Sequence, residues 1–126
     1  MDRLFLVFVG GGLGSVVRYL VTLGLARAFG VQFPFGTLAV NLSGCLLMGF
    51  VLELALATSS LSPAARLALT TGFLGGLTTY SSFNYETTKL LEGGAVLLGV
   101  VNAGATFAGC LLAGLLGSWL GRCLFS

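Results

Sequence analysis

Apolar residues run along this chain in long blocks, and the polar positions between them are few and clustered. Leu4 to about Ala28 is the first block, followed by a short connection from Gly30 to Pro34. A second block starts near Phe35 and continues to about Thr58, where TSSLSP (Thr58 to Pro63) forms the one clearly polar loop. Ser62 there is a natural N-cap, with Pro63 at the first helical position. The third block extends from Pro63 to about Leu91, Gly93 and Gly94 make a turn, and the fourth runs from Ala95 to about Leu120. The pattern predicts an all-α membrane protein with four transmembrane helices, about 4–28, 35–58, 63–91 and 95–120, in a single domain covering 1–126. No compact apolar core followed by a small-residue cleavage site marks the first block as a signal peptide, so it is read as a retained helix.

The third block is the unusual one. As one helix rising about 1.5 Å per residue it would reach about 43 Å, well beyond a hydrocarbon layer of about 30 Å. Near its middle, TTGFLGGLTTYSSFNYE (Thr70 to Glu86) sets Gly75 and Gly76 beside five consecutive hydroxyl side chains, Thr78, Thr79, Tyr80, Ser81 and Ser82. A lipid-facing helix gains nothing from such a run. Non-helical backbone at membrane depth is tolerated only against protein or a water-filled path, so a broken third helix that handles an ion is expected here. Glycine would permit the turn, and carbonyls around Gly75 to Thr78 would be freed to ligate a small hard cation such as Na⁺.

Small residues dominate elsewhere. Gly10 and Gly14 form a small-xxx-small face on the first helix, while the glycine run fails a nucleotide-loop pattern because position 15 is Ser. The fourth helix carries Ala105, Gly109, Ala113, Gly117 and Gly121 at four-residue intervals, which predicts close helix contact.

Composition narrows the function classes. With 56% hydrophobic and 8% charged residues and a mean hydropathy of +1.04, the chain belongs in lipid. Its net charge of +2 comes from isolated Lys and Arg residues, which gives no nucleic-acid patch. There is no His, so the commonest general base and metal ligand are missing. Cys45, Cys110 and Cys123 sit in apolar sequence and are read as small buried hydrophobes.

Four polar side chains inside the blocks attract attention. Arg18 either snorkels to the interface or faces a wet cavity that attracts anions. Asn41 either bonds a neighbouring helix or points its amide protons at an anion path. Glu53 is read as structural, and Glu86 closes the hydroxyl-rich stretch. Leaving out Arg18, the side holding both termini carries Arg3, Arg66 and Arg122 against Arg27 and Lys89 opposite, three against two. So weak a bias predicts insertion in both orientations and an antiparallel, dual-topology homodimer about a two-fold axis in the membrane plane. Such an axis would bring two broken helices together at the midplane.

GGGLGSVVRY (Gly10 to Tyr19), GTLAVNLSG (Gly36 to Gly44) and TGFLGGLTTYSSFNYE (Thr71 to Glu86) resemble, in order, the three signature blocks of the Fluc fluoride-channel family, also called CrcB. Chain length and four-helix layout match over essentially the whole sequence. The resemblance implies passive efflux of cytoplasmic fluoride through two pores of an antiparallel homodimer in the bacterial cytoplasmic (inner) membrane, with a structural Na⁺ at the dimer centre. It implies that Gly75 and Thr78 hold that Na⁺ through backbone carbonyls. Asn41 matches the pore Asn, Tyr80 and Phe83 the paired pore aromatics, Glu86 a carboxylate near the pore end and Arg18 a vestibule Arg. Thr79, Ser81 and Ser82 would add hydroxyl donors, which a small, strongly hydrated anion needs in place of water. Ring edges of Tyr80 and Phe83, three residues apart, are electropositive and would add to them. Without the resemblance, that aromatic pair reads as ordinary helix packing. The chain departs from the family pattern at Tyr80, where Phe is usual, and at Cys110 and Gly114, where Ser or Thr is expected; Asn102 and Thr106 are candidate substitutes.

The alternative reading is a small proton-coupled multidrug-type transporter, which requires a central carboxylate on the first helix, and none follows Asp2 there. A non-transporting assembly subunit would explain the small-residue stripes and leave the hydroxyl run without a purpose. An enzyme is not expected, because no nucleophile-base pair or metal-ligand set is visible.

Overall fold

The computed structural model describes residues 2–125. It is all-helical among those residues, with three helices long and apolar enough to cross a membrane: α1 (Asp2–Phe29), α2 (Phe35–Ala57) and α6 (Val96–Phe125). The third block is divided. It comprises α3 (Pro63–Leu67), a π-helical stretch (Ala68–Leu74), α4 (Gly75–Leu77) and, after an interruption, α5 (Tyr80–Glu92). Ser62 caps α3 by accepting from the Ala65 N–H at 3.1 Å, and Pro63 takes the first turn. α6 continues to Phe125, past the expected end at Leu120, since no breaker interrupts the apolar sequence and Gly121 still packs on Glu53.

Glycine at φ +81° (Gly30) and φ +83° (Gly94) makes the two tight turns, where a side chain would be strained. After α5 the Gly93, Gly94 and Ala95 N–H groups all return to carbonyls of the last helical turn, which stops the helix and reverses the chain.

Packing separates the bundle into two layers of contact. α1 lies along the first half of the third block, and α2 lies along α6. The α1 contact is backbone on backbone: a Cβ on Gly10 would stand 2.6 Å from the Ala68 carbonyl, one on Gly14 would run into the Phe73 carbonyl and stand 2.8 Å from the Leu77 N–H, and one on Gly76 would run into the Gly11 carbonyl. The α2–α6 seam also closes on glycines, since a Cβ on Gly109 would stand 2.8 Å from the Leu42 side chain and one on Gly117 would collide with the Leu46 carbonyl. Small residues thus bring helices close enough for dispersion and backbone dipoles to hold them where lipid offers no hydrophobic gain. The buried core is small, Val40, Leu74 and Leu77 at the level of the break, and the large apolar side chains elsewhere face outward. A chain with that surface is a multi-pass membrane protein.

Candidate functional site

The interruption falls at Thr78 and Thr79, both with extended backbone (φ −81°, ψ 152° and φ −152°, ψ 120°). The expectation that glycine makes the turn is corrected here. Gly75 is helical (φ −64°, ψ −36°) and outward-facing, while Gly76 serves close approach to Gly11 of α1 instead. The break rests on β-branched threonines, which accept extended dihedrals readily.

Asn41, on α2, holds the break open. Its Oδ1 accepts from the Thr79 N–H at 2.8 Å, and its Nδ2 donates to the Thr79 carbonyl at 3.0 Å. The side-chain amide therefore acts as a peptide surrogate, satisfying both backbone groups of a residue that has left the helical ladder. Asn41 is only 7% exposed and Thr79 is buried, so leaving those groups unpaired would cost several kcal/mol (about 1–3 kcal/mol for each). Of the two sequence readings of Asn41, the helix-to-helix bond is the one formed, while the second Nδ2 proton stays available. With the Thr79 N–H diverted to Asn41, the Gly75 carbonyl loses its usual donor four residues on, and no backbone N–H bonds either it or the Thr78 carbonyl. Thr78 itself turns its N–H and its hydroxyl back to the Leu74 carbonyl, at 3.0 and 2.9 Å, and its methyl lies against Gly44. Gly75 is exposed on the surface of the single chain.

Hydroxyls gather at the start of α5. Thr79 caps it, accepting from the Ser82 N–H at 3.3 Å, and the Thr79 hydroxyl donates to Ser82 Oγ at 3.1 Å and pairs with Ser81 Oγ at 3.2 Å. Two grooves open from this point. One, about 260 Å³, is lined by Ser15, Arg18, Thr22, Thr37, Ser82 and Glu86 together with Thr79. Within it Arg18 donates to Ser15 at 3.5 Å, Ser15 to the Gly76 carbonyl at 3.4 Å, and Thr37 to Glu86 Oε1 at 2.8 Å. Arg18 thus lines an open polar groove between α1, α2 and α5.

The second groove is larger, about 580 Å³, and mostly aromatic and aliphatic. Tyr80 and Phe83 line it with their rings edge to face, centroids 5.4 Å apart, and Asn41, Thr79, Phe107, Thr106, Cys45 and Cys110 complete it. Tyr80 is 78% exposed in the single chain. Thr106 Oγ1 and Glu86 Oε2 are, among the described residues, buried side-chain oxygens with no hydrogen-bond partner. Buried orphans of this sort ask for a ligand or water.

Nine of the ten residues singled out from the sequence therefore lie in or beside the break and its two grooves: Arg18, Asn41, Thr78, Thr79, Tyr80, Ser82, Phe83 and Glu86 line one or both, with Ser81 bonded to Thr79. The tenth, Gly75, sits one short turn before them on the outer surface. Asn102, considered as a polar-track substitute, is spent on a bond to Thr87 Oγ1 at 2.9 Å, whereas Thr106 faces the aromatic groove. Ser15 and Thr37 were missed; Thr37 is four residues before Asn41, hence on the same face of α2, and that spacing was the available signal.

With this geometry described, comparison with known proteins decides the family. Residues 5–118 match the family described as CrcB-like protein, Camphor Resistance (CrcB). The chain belongs to the CrcB family. Among its relatives, a protein of Sorangium cellulosum is 45% identical over 126 residues, covering 100% of this chain and 99% of the relative. One from Geobacter sulfurreducens is 46% identical over 121 residues (96% and 94% covered), and one from Clostridium perfringens 41% identical over 128 residues (99% and 100% covered). Each is named a fluoride-specific ion channel, FluC. The CrcB relatives are thus channels rather than enzymes and come from bacteria, which places this multi-pass protein in a bacterial cytoplasmic membrane.

Proposed function

We propose that this CrcB protein is a fluoride-selective channel that lets cytoplasmic fluoride leave the cell passively, and that it works as an antiparallel dual-topology homodimer with two pores. The observation that carries the reading is the Thr78–Thr79 interruption pinned by Asn41, from which a hydroxyl-lined groove and an aromatic-edged groove both open. The names of its relatives support fluoride as the ion.

The chemistry follows from the anion. Fluoride is small and gives up its hydration only where donors replace water. In the polar groove Arg18 supplies a positive charge at the entrance, and the Ser15, Thr37 and Ser82 hydroxyls are donors that can turn toward an anion. At the break, where the two grooves meet, the second Nδ2 proton of Asn41 and the Ser81 hydroxyl hand the ion on. Beyond them the Tyr80 and Phe83 ring edges and the Thr106 hydroxyl face the second groove. Donors already fixed in place repay more of the dehydration of fluoride, the stronger hydrogen-bond acceptor, than flexible ones would, which favours fluoride over chloride.

The exposed Tyr80, Ser81 and Gly75 support a second copy covering this surface. The carbonyls of Gly75 and Thr78, free of backbone donors, fit the oxygen ligands that Na⁺ prefers, and no cluster of acidic or sulfur side chains competes for that role among the described residues. Bound there, a Na⁺ would supply positive charge that offsets the gathered carbonyl dipoles and ties the copies together.

Fluoride efflux from proteoliposomes, measured with an ion-selective electrode beside chloride efflux, tests the function: fast fluoride and negligible chloride are expected, and equal rates overturn selectivity. Tags on the C-terminus found on one face of the membrane only would overturn the inverted dimer.

A further inference from the structure

We propose that Cys45 and Cys110 form a two-thiol site for a soft, thiophilic cation such as Cu⁺, Ag⁺ or Hg²⁺ in the wall of the aromatic groove, and that filling it obstructs that groove. The two residues come from different helices, α2 and α6, and both line the groove that also holds Tyr80, Phe83 and Phe107. Each is half-buried and free of a disulfide. The seam between these helices is close at their level: a Cβ on Gly49, one turn after Cys45 on the same face of α2, would collide with the carbonyl of Gly114, which lies one turn after Cys110 on α6. The two side chains open onto this one groove from facing helices. Cys123, by contrast, is exposed near the end of α6 and has neither neighbour.

Sulfur is a soft, polarizable donor that selects soft cations, and two sulfurs suit a linear two-coordinate ion, whereas hard cations such as Na⁺ or Mg²⁺ prefer oxygen. Binding Hg²⁺ releases one proton from each thiol and forms two S–Hg bonds; nothing is oxidised or reduced, and the protons leave through the open groove. The two-point attachment raises affinity over a single thiol by on the order of 100-fold. A cation with its two sulfurs takes up part of the groove that an ion crossing it needs, a consequence that rests on the channel reading above.

The test uses the full chain carrying Cys123→Ser, titrated with HgCl₂ while free thiols are counted with a colorimetric disulfide reagent and bound metal by elemental analysis. One Hg per chain with both thiols disappearing together is expected, along with loss of fluoride efflux to background that excess dithiothreitol reverses. Adding Cys45→Ser or Cys110→Ser should leave a single thiol that releases the metal at much lower competing thiol. Two Hg per chain, or thiols that react independently, overturn the site. One Hg per chain with unchanged efflux overturns the obstruction. Because thiols are counted without any transport measurement, a protein that never moves fluoride would refute the channel reading and leave the metal site to be judged by its stoichiometry.

Discussion

The two halves of the third block are held by different physics. Pro63–Leu77 is locked to α1 through glycine-to-backbone contacts that leave no room for a methyl group, and its Thr70, Gly72, Leu74 and Leu77 are buried. Tyr80–Glu92 has no buried residue, touches α6 along one side and is fixed at its start by hydrogen bonds from Asn41, Thr79 and Ser82. Rigid packing positions the first half, and directional polar bonds aim the second. The difference teaches how a short membrane chain can hold open a break. One side must be immovable, so that the polar joint on the other has a fixed reference.

Steric substitutions on the packed half should have the largest effect. Gly14→Ala drives a Cβ into the Phe73 carbonyl, where no flexible side chain can yield, at a cost of about 3 kcal/mol or more. Size-exclusion chromatography in mild detergent should show loss of the folded species. Gly12→Ala is the matched comparison, because nothing lies within 4 Å of its Cβ, and it should be neutral or gain up to about 1 kcal/mol from helix propensity. If both behave alike, the packed-half account fails.

The joint comes next. Asn41→Ala orphans two buried Thr79 groups, and a loss of about 2–4 kcal/mol in thermal or denaturant stability is expected, with fluoride efflux abolished. Retained efflux with reduced stability would separate the amide's structural role from a conducting one. Thr37→Val removes the donor to Glu86 Oε1 and should cost about 1.5 kcal/mol while slowing efflux through the polar groove.

The smallest stability effect belongs to Thr106→Val. Its hydroxyl oxygen has no partner among the described residues, so deleting it should leave stability unchanged or raise it by under about 1 kcal/mol. Efflux should nonetheless fall if that hydroxyl serves the anion. A variant that is less stable and conducts normally would show the orphan to be satisfied by the fold itself.

Much of the membrane architecture was legible because it follows from local sequence. Block lengths set the spans, Ser62-Pro63 and Gly93-Gly94 set two boundaries, and a third block too long for the bilayer announced its own interruption. The location of the break was legible to within a few residues, through the density of hydroxyls. Its cause was not. Sequence alone gives glycine the part of turn-former, and only three-dimensional neighbours reveal that Gly76 is needed because Gly11 lies against it. The π-helical turn from Ala68 to Leu74 likewise left no periodic trace, since it arises where two backbones must interlock.

What the residues determined by themselves is a four-block hydrophobic chain with a polar fault in the third block, since hydropathy and span length are properties of consecutive residues. Tertiary structure decided the rest: that Asn41, thirty-eight positions away, completes the backbone of Thr79, that Arg18 and Glu86 share one groove, and that Cys45 and Cys110 line another. Those pairings depend on how closely helices approach and which faces they turn to one another, and no spacing along a single helix encodes either.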